Sequence, residues 1–530
     1  MSELLHQIVN ASAQNFPNAV ALKHKTVSLT YTELDSTIHS IASGFLSLNL
    51  QRSERIAVYL PKQPEAVISY FAASMAGAVF VPINPVLKSE QVCHILADSN
   101  ARILVTSSDR LKTLESEIHN CHDLQTIILV GNNEFSQTGG QTFFNIEKWE
   151  TLLSTTPNDL VPDIIDIDMV AILYTSGSTG KPKGVILSHR NMVTGAKSVS
   201  HYLKNDENDR ILAVLPFSFD YGFSQLTTAF YVGATVVLME YLLPRDVIKK
   251  IAKENITGLA AVPPLWIQLS KLEWPDDAIN SLRYITNSGG AFPTNCISFY
   301  RSTMPSTDIY LMYGLTEAFR STYLPPEEID KRPDSMGKAI PNVEILVVRD
   351  DGTLCSPGET GELVHRGSLV AMGYWNDPEK TANRFKPLPN QANELPITEM
   401  AVWSGDNVKM DNEGYLYFVS RMDEMIKTSG YRVSPTEVEE VIYQAGMVNE
   451  AVALGVSHQE LGQAIVLIVS SKNNEPIDKE LLQQYCKQHL PNFMLPYEII
   501  EESILPRNPN GKIDRKSLHN RYKNIFQESS

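Results

Sequence analysis

Short apolar runs rich in β-branched residues alternate with helical patterns along most of this 530-residue chain. The segment 55–60 (RIAVYL) has the composition of a buried strand, and the segment 64–77 has the pattern of the helix that follows it. The same alternation returns at 79–83, 102–106 and 210–216. Strands and helices that alternate on this scale predict an α/β architecture with largely parallel sheets.

The length of the chain and a change in the spacing of strand and helix patterns toward its end predict two domains. The chain is several times longer than one domain, which usually has ~100–200 residues. Its last part has the pattern of a compact unit, with strands at 450–456, 463–470 and 497–504. We therefore predict a large N-terminal domain of stacked α/β sheets over residues 1–420 and a small mobile α+β domain over residues 421–530.

The composition of the chain excludes several classes of function. A formal net charge of −16 opposes contact with phosphate backbones, so we expect no nucleic acid partner. The five cysteines are odd in number and well separated, which indicates reduced thiols and not a disulfide framework or zinc site. Neither a signal peptide nor an apolar run of ~18 residues occurs, so we expect a cytoplasmic protein with no membrane partner.

The strongest functional signal is the segment 174–185 (YTSGSTGKPKGV), between strand-like apolar runs at 169–173 and 185–187. Its backbone N–H and hydroxyl groups can surround an anion, and its lysines can bind anion oxygens. The spacing of a Walker A loop is absent. A flexible hairpin turn is the alternative interpretation. The candidate nucleotide-binding residues are Thr175, Ser176, Gly177, Ser178, Thr179, Gly180 and Lys183.

This segment resembles the phosphate loop of the adenylate-forming superfamily, which includes acyl-CoA synthetases, adenylation domains of nonribosomal peptide synthetases, and luciferases. Further signatures of that superfamily follow in order, so the resemblance covers nearly the whole chain. It implies an enzyme that uses ATP and Mg²⁺ to activate a carboxylic acid as its acyl-adenylate. The resemblance also implies that the acyl group then passes to a thiol.

The second signature is the segment 313–318 (YGLTEA). The resemblance implies that the ring of Tyr313 stacks on adenine and that Thr316 binds the α-phosphate. It also implies that Glu317 binds Mg²⁺, which prefers hard oxygen ligands. An ordinary strand and turn is the alternative. The other nucleotide-binding candidates, whose glycines let the backbone approach a base, are Gly289, Gly290, Ala291 and Gly314.

The third and fourth signatures lie further along the chain. Asp406 resembles the residue that binds the ribose hydroxyls, and Arg421 resembles the residue that contacts ribose and phosphate. Asp423 resembles the hinge about which the small domain rotates. The alternative for Asp406 is an ordinary turn aspartate, and the alternative for the fourth signature is a surface hairpin. The residues that resemble the loop for thioester formation are Lys427, Gly430 and Tyr431.

The fifth signature is the segment 505–515 (LPRNPNGKIDR), which contains Lys512. This residue resembles a mobile lysine that bridges the acid's carboxylate and the α-phosphate, where an ammonium group offsets developing negative charge. A solvated turn is the alternative. A superfamily member that only binds nucleotide would be expected to lack Lys512 or Glu317, and both are present. With Thr175 they form the candidate catalytic set.

The segment 215–224 (LPFSFDYGFS) differs from fatty and aryl acyl-CoA synthetases, which usually carry a histidine here. Asp220 instead matches amino-acid-activating domains, where the aspartate pairs with the substrate's α-ammonium group. A helix cap is the alternative role for Asp220. Arg320 replaces a residue that is usually neutral in those domains. The candidate substrate-binding residues are Phe219, Asp220, Tyr221, Ser224, Ala261, Gly289, Met312, Arg320 and Ser321.

These residues predict the kind of acid. The bulky Tyr221 and Met312 suit a compact amino acid, and the chain most resembles free-standing L-prolyl-carrier-protein ligases of natural-product pathways. We therefore predict adenylation of L-proline and its transfer to the phosphopantetheine thiol of an acyl carrier protein. The alternative is an AMP-forming acyl-CoA ligase for a fatty or other carboxylic acid, with CoA as acceptor. The segment 313–325 also resembles bacterial acyl-CoA ligases of exopolysaccharide and exosortase loci.

Overall fold

Three β-sheets with helices packed against them build the molecule, and the predicted α/β class is confirmed. The structure is a computed structural model. It describes residues 2–131, 144–156, 162–175, 182–392, 394–421, 425–471, 476–507 and 513–526.

The strands follow the predicted positions closely in the first half of the chain. In chain order they are β1 (Val20–His24), β2 (Val27–Thr30), β3 (Arg55–Tyr59), β4 (Val79–Pro82), β5 (Ala101–Ser107), β6 (Thr126–Val130), β7 (Asn145–Lys148), β8 (Met169–Thr175), β9 (Lys183–Ser188), β10 (Arg210–Ala213), β11 (Thr235–Leu238), β12 (Gly258–Ala261), β13 (Tyr284–Asn287), β14 (Asp308–Tyr313), β15 (Thr322–Leu324), β16 (Ser335–Ala339), β17 (Val343–Val348), β18 (Thr360–Gly367), β19 (Gly373–Tyr374), β20 (Phe385–Pro387), β21 (Met400–Met410), β22 (Leu416–Arg421), β23 (Ile426–Thr428), β24 (Tyr431–Val433), β25 (Val448–His458), β26 (Gly462–Ser471) and β27 (Glu498–Glu501).

The helices lie mainly between the strands of the first two sheets. In chain order they are α1 (Leu5–Asn15), α2 (Tyr31–Ser47), α3 (Pro64–Met75), α4 (Ser89–Asp98), α5 (Ser108–Leu114), α6 (Trp149–Leu153), α7 (His189–Tyr202), α8 (Asp220–Val232), α9 (Pro244–Glu254), α10 (Pro263–Ser270), α11 (Asp276–Ser281), α12 (Thr294–Thr303), α13 (Pro378–Arg384), α14 (Pro435–Gln444), α15 (Lys479–His489) and α16 (Arg515–Tyr522).

The largest sheet has fourteen strands, and its first half is mostly parallel. Strands β1, β11, β10, β12, β13 and β14 pair side by side in parallel, with β2 added antiparallel at the edge. The carboxyl ends of β12, β13 and β14 meet at one edge of the sheet, at Ala261, Asn287 and Tyr313. A crevice outside the carboxyl ends of parallel strands is where α/β folds usually bind ligands.

The second half of this sheet is antiparallel, which the predicted parallel pattern did not include. From β14 the path continues antiparallel through β15, β16, β22, β21, β18 and β17. Some neighbours, such as β14–β15 and β21–β22, are joined by connections too short for a helical crossover, so antiparallel pairing is the geometry open to them. This half carries Asp406 on β21 close to the end of β14.

The eight-stranded sheet has the order β19-β9-β8-β4-β3-β5-β6-β7. Strands β8 and β9 form an antiparallel hairpin in which Thr175 is directly opposite Lys183. The two ends of the predicted phosphate loop are therefore adjacent, and the hairpin and anion-site interpretations are compatible. Residues 176–181 of this loop lie outside the described residues.

The main core lies between these two sheets and includes α1, α2, α3, α7 and α8. Aromatic rings fill much of it. Phe80 and Phe223 stack with ring centres 5.0 Å apart, and Trp266 meets Tyr300 edge-on at 5.2 Å. Because α8 is buried along most of its length, its first turn is held firmly at the edge of the site.

Strands β23 to β27 form a separate five-stranded sheet with helices on both faces. Helices α14 and α15 cover one apolar face of this C-terminal unit, and α16 covers the other. Strand β22 still belongs to the large sheet, so the chain passes from one unit to the other between Arg421 and Ile426. The predicted hinge Asp423 lies outside the described residues, and the boundary at residue 421 stays a prediction.

The two units touch along α4, β12 and α10. Gln91 donates a hydrogen bond to Glu437, Lys271 pairs with Glu460, and Gly430 packs against Val262. Within the described part of the chain, no helix is both long and apolar enough to cross a membrane.

Candidate active site

The predicted adenine-side residues lie together at the carboxyl ends of the parallel strands. Gly289 follows β13 with φ +81°, a left-handed conformation that suits glycine. The Asn287 side chain donates a hydrogen bond to the Gly290 carbonyl at 2.9 Å, which holds this turn. Tyr313 ends the neighbouring strand β14. The two segments flank one crevice of the sheet.

Tyr313 and Asp406 are in direct contact. The Tyr313 hydroxyl donates a hydrogen bond to Asp406 Oδ2 at 2.6 Å, and Asp406 is fully buried. Arg421 is opposite Asp406 in the β21–β22 register. The structure therefore brings together three predicted nucleotide residues that are separated by up to 108 positions along the chain (421 minus 313).

Glu317 is the most strongly held carboxylate in the site. It lies in a 3₁₀ turn directly after β14 and is fully buried. Its Oε1 accepts hydrogen bonds from Lys183 Nζ at 3.2 Å and from the Tyr374 hydroxyl at 2.5 Å. Tyr374 also accepts a hydrogen bond from Lys183 at 2.7 Å. Two segments that are distant in sequence thus fix one carboxylate oxygen.

Three cations act on the Glu317 carboxylate. Arg384 Nε is 3.9 Å from its Oε1, and Arg432 of the C-terminal unit contributes to the same field. Burial alone would raise the pKa of Glu317, but Lys183, Arg384 and Arg432 hold it well below its usual range. Burial lowers the pKa of Lys183, and Glu317 opposes that change. Three cations around one carboxylate favour an added polyanion.

Two buried oxygens fit a nucleotide and its metal ion. Thr175 Oγ1 and Glu317 Oε2 are both buried, and neither has a hydrogen-bond partner among the described residues. Such groups are costly unless a ligand completes their bonding. A hydroxyl beside a cation cluster suits a phosphate oxygen, and the second carboxylate oxygen suits Mg²⁺. These residues fit MgATP.

The predicted acid-binding carboxylate has a partner within the protein. Asp220 begins α8, and its Oδ2 is 3.0 Å from Arg320 Nη1. The side chains are only 5% and 2% exposed. A second nitrogen of Arg320 donates to the Asp220 carbonyl at 3.3 Å. Burial raises the pKa of the Asp220 carboxyl, and Arg320 offsets part of that rise.

The space beside this ion pair is small. A cavity of about 20 Å³ is lined by four predicted wall residues and by several polar groups. That volume holds about one water-sized group. Arg320 Nε and Gln225 Oε1 border it and have no hydrogen-bond partner in the described structure. The polar and predicted lining residues are Tyr221, Ser224, Gln225, Thr228, Thr286, Met312 and Arg320.

The other predicted wall residues have different surroundings. Ser321 meets the buried His365, with Oγ and Nδ1 3.0 Å apart, and the Ala261 carbonyl accepts a hydrogen bond from the Trp266 ring at 3.1 Å. Phe219 lines a larger neighbouring cavity. Gly289, Ala261 and Ser321 are not among the described residues that line the small cavity.

This larger cavity, of about 340 Å³, lies between the two units. Thr175 and Thr316 border it on the large unit, and Gly430 and Tyr431 border it on the C-terminal unit. Lys427 points elsewhere, with its ammonium group 5.6 Å from the Phe418 ring. Ser176 to Gly180, Asp423 and Lys512 lie outside the described residues.

Several residues of the site were not predicted from the sequence. Tyr374, Arg384 and Arg432 come from β19, α13 and β24, and no motif marked them as ligands. The available signal was the GYW triplet at 373–375. It places a tyrosine hydroxyl directly after a glycine on a short strand at the edge of the sheet.

Comparisons with known proteins identify the family. Residues 9–375 match the AMP-binding enzyme family, and residues 437–512 match the AMP-binding enzyme C-terminal domain. The chain therefore belongs to the AMP-binding enzyme family. Proteins similar to it are named as ligases and synthetases, and enzymes of this family use ATP.

Three similar proteins illustrate the range of this family. The L-proline–[L-prolyl-carrier protein] ligase of Streptomyces coelicolor is 31% identical over 92% of this chain and 91% of that protein. Tyrocidine synthase 3 of Brevibacillus parabrevis is 27% identical over 98% of this chain, which spans only 8% of that protein. A structure of o-succinylbenzoate CoA synthetase from Bacillus subtilis is 25% identical with a TM-score of 0.82, covering 97% of this chain and 98% of that one.

The hydroxyl of Tyr374 is expected to position Glu317 for adenylate formation. The Tyr374→Phe variant keeps the ring but removes a hydrogen bond to a buried carboxylate, a loss of about 1–3 kcal/mol. We expect ATP–pyrophosphate exchange to fall by roughly 5- to 150-fold, with the protein still folded at the assay temperature because Lys183 still binds the carboxylate. Tyr300→Phe, which removes a hydroxyl in the core away from the site, is the matched control. An exchange rate within twofold of wild type in Tyr374→Phe would contradict this role.

Gly430 is expected to matter only when the C-terminal unit is docked. A Cβ at this position would lie 2.7 Å from Val262 Cγ2, and φ is +83°. Gly430→Ala should slow thioester formation by about tenfold or more, while exchange stays close to wild type. Gly446→Ala is a sharp control, because its φ is also positive, at +67°, and its Cβ would meet nothing within 4 Å. Equal effects of the two substitutions would assign the loss to backbone strain.

Proposed function

We propose that this chain joins a compact carboxylic acid to a phosphopantetheine thiol through an acyl-adenylate. The observation that carries this proposal is the cation-rich cluster around Glu317 beside a cavity shared by both units. The cluster suits the triphosphate of ATP, and the cavity offers a second reactant a path to the same point. The AMP-binding family and its ligases support this chemistry.

In the first step a carboxylate oxygen of the acid attacks the α-phosphorus of ATP, and pyrophosphate leaves. Lys183 and Arg384 offset charge on the phosphates, and Thr175 donates to a phosphate oxygen. Glu317 would hold Mg²⁺, which offsets further phosphate charge when bound. Lys512 is proposed to bridge the acid and the α-phosphate in this step.

In the second step the thiol sulfur attacks the acyl carbonyl carbon, the thiol proton is lost, and AMP leaves. Gly430 and Tyr431 form part of the cavity wall in the arrangement described here. This supports the proposal that the C-terminal unit, residues 421–530, rotates about Asp423 on the large unit, residues 1–420. One orientation would place Lys512 in the site, and the other would place Gly430 there.

The ion pair between Asp220 and Arg320 favours an acid without an α-ammonium group. An incoming ammonium group would have to displace a guanidinium that is 2% exposed, or lie beside it as a second buried cation. A buried charge that loses its partner costs about 3–5 kcal/mol. Arg320 therefore takes the place that a substrate amine would fill, and the small polar cavity next to it leaves little room for a large acyl group.

L-Proline is the second candidate, and one specific observation favours it. The Streptomyces coelicolor relative, at 31% identity, is named as an L-proline–[L-prolyl-carrier protein] ligase. It also supports a carrier protein as the acceptor. The similar structure of a CoA synthetase supports free CoA instead. Both acceptors present the same phosphopantetheine thiol.

The decisive comparison is between L-proline and cyclopentanecarboxylic acid, which has nearly the same shape without the amine. We expect ATP–pyrophosphate exchange to be faster with the carbocyclic acid, because Asp220 is already neutralised. The panel should also contain short hydroxy acids and fatty acids. Faster exchange with L-proline than with every acid lacking an amine would establish the amino-acid candidate instead.

A substitution of Arg320 tests whether the ion pair with Asp220 disfavours an acid that carries an amine. Arg320→Met should free the Asp220 carboxylate and raise the L-proline to cyclopentanecarboxylate rate ratio by about tenfold or more. An unpaired buried carboxylate can destabilise the fold. The double variant with Asp220→Asn and Arg320→Met is therefore measured alongside, and it should show no increased preference for L-proline. Arg301→Met, at an exposed ion pair, is the control. An unchanged ratio in Arg320→Met would show that the ion pair does not determine which acid the enzyme uses.

A further inference from the structure

Two buried polar groups beside the Asp220–Arg320 ion pair lack a hydrogen-bond partner among the described residues. They are the donor Nε–H of Arg320 and the acceptor Oε1 of Gln225. Gln225 lies on α8 and is 5% exposed, and both residues line the small cavity of about 20 Å³. A donor and an acceptor left unmatched in the same buried space indicate that a bound group completes their hydrogen bonding.

The rest of each side chain is already bonded, which holds these two groups in place. Arg320 Nη1 donates to Asp220 Oδ2 at 3.0 Å and to the Phe319 carbonyl at 2.9 Å. Gln225 Nε2 donates to the Tyr221 carbonyl at 3.3 Å, so the other end of the amide is the oxygen. The guanidinium and the amide are thus fixed by other bonds, while Nε and Oε1 remain available to a ligand.

The small cavity lies further along α8 from the reaction centre. Phe219, directly before α8, lines the larger cavity that Thr175 and Thr316 also border. Tyr221 and Gln225, in the first turns of α8, line the small cavity. An acid whose carboxylate lies near Thr175 and Thr316 would therefore extend its acyl group past Phe219 toward Gln225.

The size and bonding of this space select one kind of group. A volume of about 20 Å³ holds one water-sized group. A hydroxyl group both accepts and donates, so it can accept from Arg320 Nε and donate to Gln225 Oε1 at once. An ammonium group only donates and a carbonyl oxygen only accepts, so each leaves one of the two unmatched. A methyl group leaves both unmatched, which is costly in a buried site.

We propose that the acid activated by this enzyme is a short hydroxy acid, with its hydroxyl group between Arg320 Nε and Gln225 Oε1. The proposal rests on the proposed function, since it assumes that an acid lacking an amine is adenylated here. Asp220 holds Arg320 in position, and Gln225 determines specificity by accepting the hydrogen bond of the hydroxyl group. The ion pair thereby disfavours a substrate amine and presents a donor to a neutral substrate group.

The experiment measures ATP–pyrophosphate exchange by the wild-type protein with matched pairs of acids. Butyric and valeric acids are each compared with the same acid carrying a hydroxyl group on its α, β or γ carbon, in each stereoisomer. We expect kcat/KM for the best hydroxy acid to exceed that of its unsubstituted partner by about tenfold or more. A smaller ratio for every pair would overturn the proposal, because the two groups would then not recognise a substrate hydroxyl.

The variant Gln225→Met keeps the approximate size of the side chain and removes the acceptor. We expect it to lower kcat/KM for the preferred hydroxy acid by about tenfold or more, and to leave the unsubstituted partner within about threefold. The matched control is Thr227→Val, which should behave as wild type. Thr227 is buried on the same helix, donates to the Ser224 carbonyl, and is not among the described residues that line the small cavity. Equal losses with both acids in Gln225→Met would assign Gln225 to packing and overturn the proposal.

The outcomes in wild type separate this inference from the proposed function, and they decide it even if a variant fails to fold. Exchange with none of these acids or with L-proline would reject the adenylation step of the proposed function. Fast exchange with both members of every pair would keep the proposed function and reject the hydroxyl contact. Exchange with L-proline alone would establish the second candidate and also reject the contact.

Discussion

The carboxylate of Glu317 joins five parts of the chain that are distant in sequence. Its turn follows β14, while Lys183 comes from the β8–β9 hairpin, Tyr374 from β19 and Arg384 from α13. Arg432 adds charge from the C-terminal unit. A buried carboxylate cannot remain ionised without such partners. The two large sheets must therefore be in place before this cation cluster exists, and the C-terminal unit adds to its charge in the arrangement described.

Three buried carboxyl groups in this molecule have three different electrostatic surroundings. Glu317 has an excess of cations, Asp220 has one matched guanidinium, and Glu437 has only an amide. An excess of positive charge favours an anion, a neutral pair favours an uncharged group, and an unmatched acceptor favours a donor. The three carboxyl groups therefore suit three different kinds of partner, although they lie in one fold.

Much of the fold and of the nucleotide site could be predicted from the sequence, because their signals are local. Strands such as β3 and β14 are short apolar runs, and Thr175 and Glu317 stand in continuous motifs. The antiparallel half of the large sheet was missed because the sequence of one strand does not show the direction of its neighbour. The Asp220–Arg320 pair was missed for another reason: each residue was noted, but their meeting across 100 positions depends on the packing of α8.

The contact between the two units has a consequence for how readily they separate. Gly430 contributes no side chain to it, and the hydrogen bond and ion pair described across it join Gln91 to Glu437 and Lys271 to Glu460. Water can replace polar contacts of this kind at little net cost, unlike a broad apolar surface. The C-terminal unit keeps its own apolar cores on both faces of its sheet. In the proposed rotation it would move as an intact body, and repeated cycles would not expose either core to aggregation.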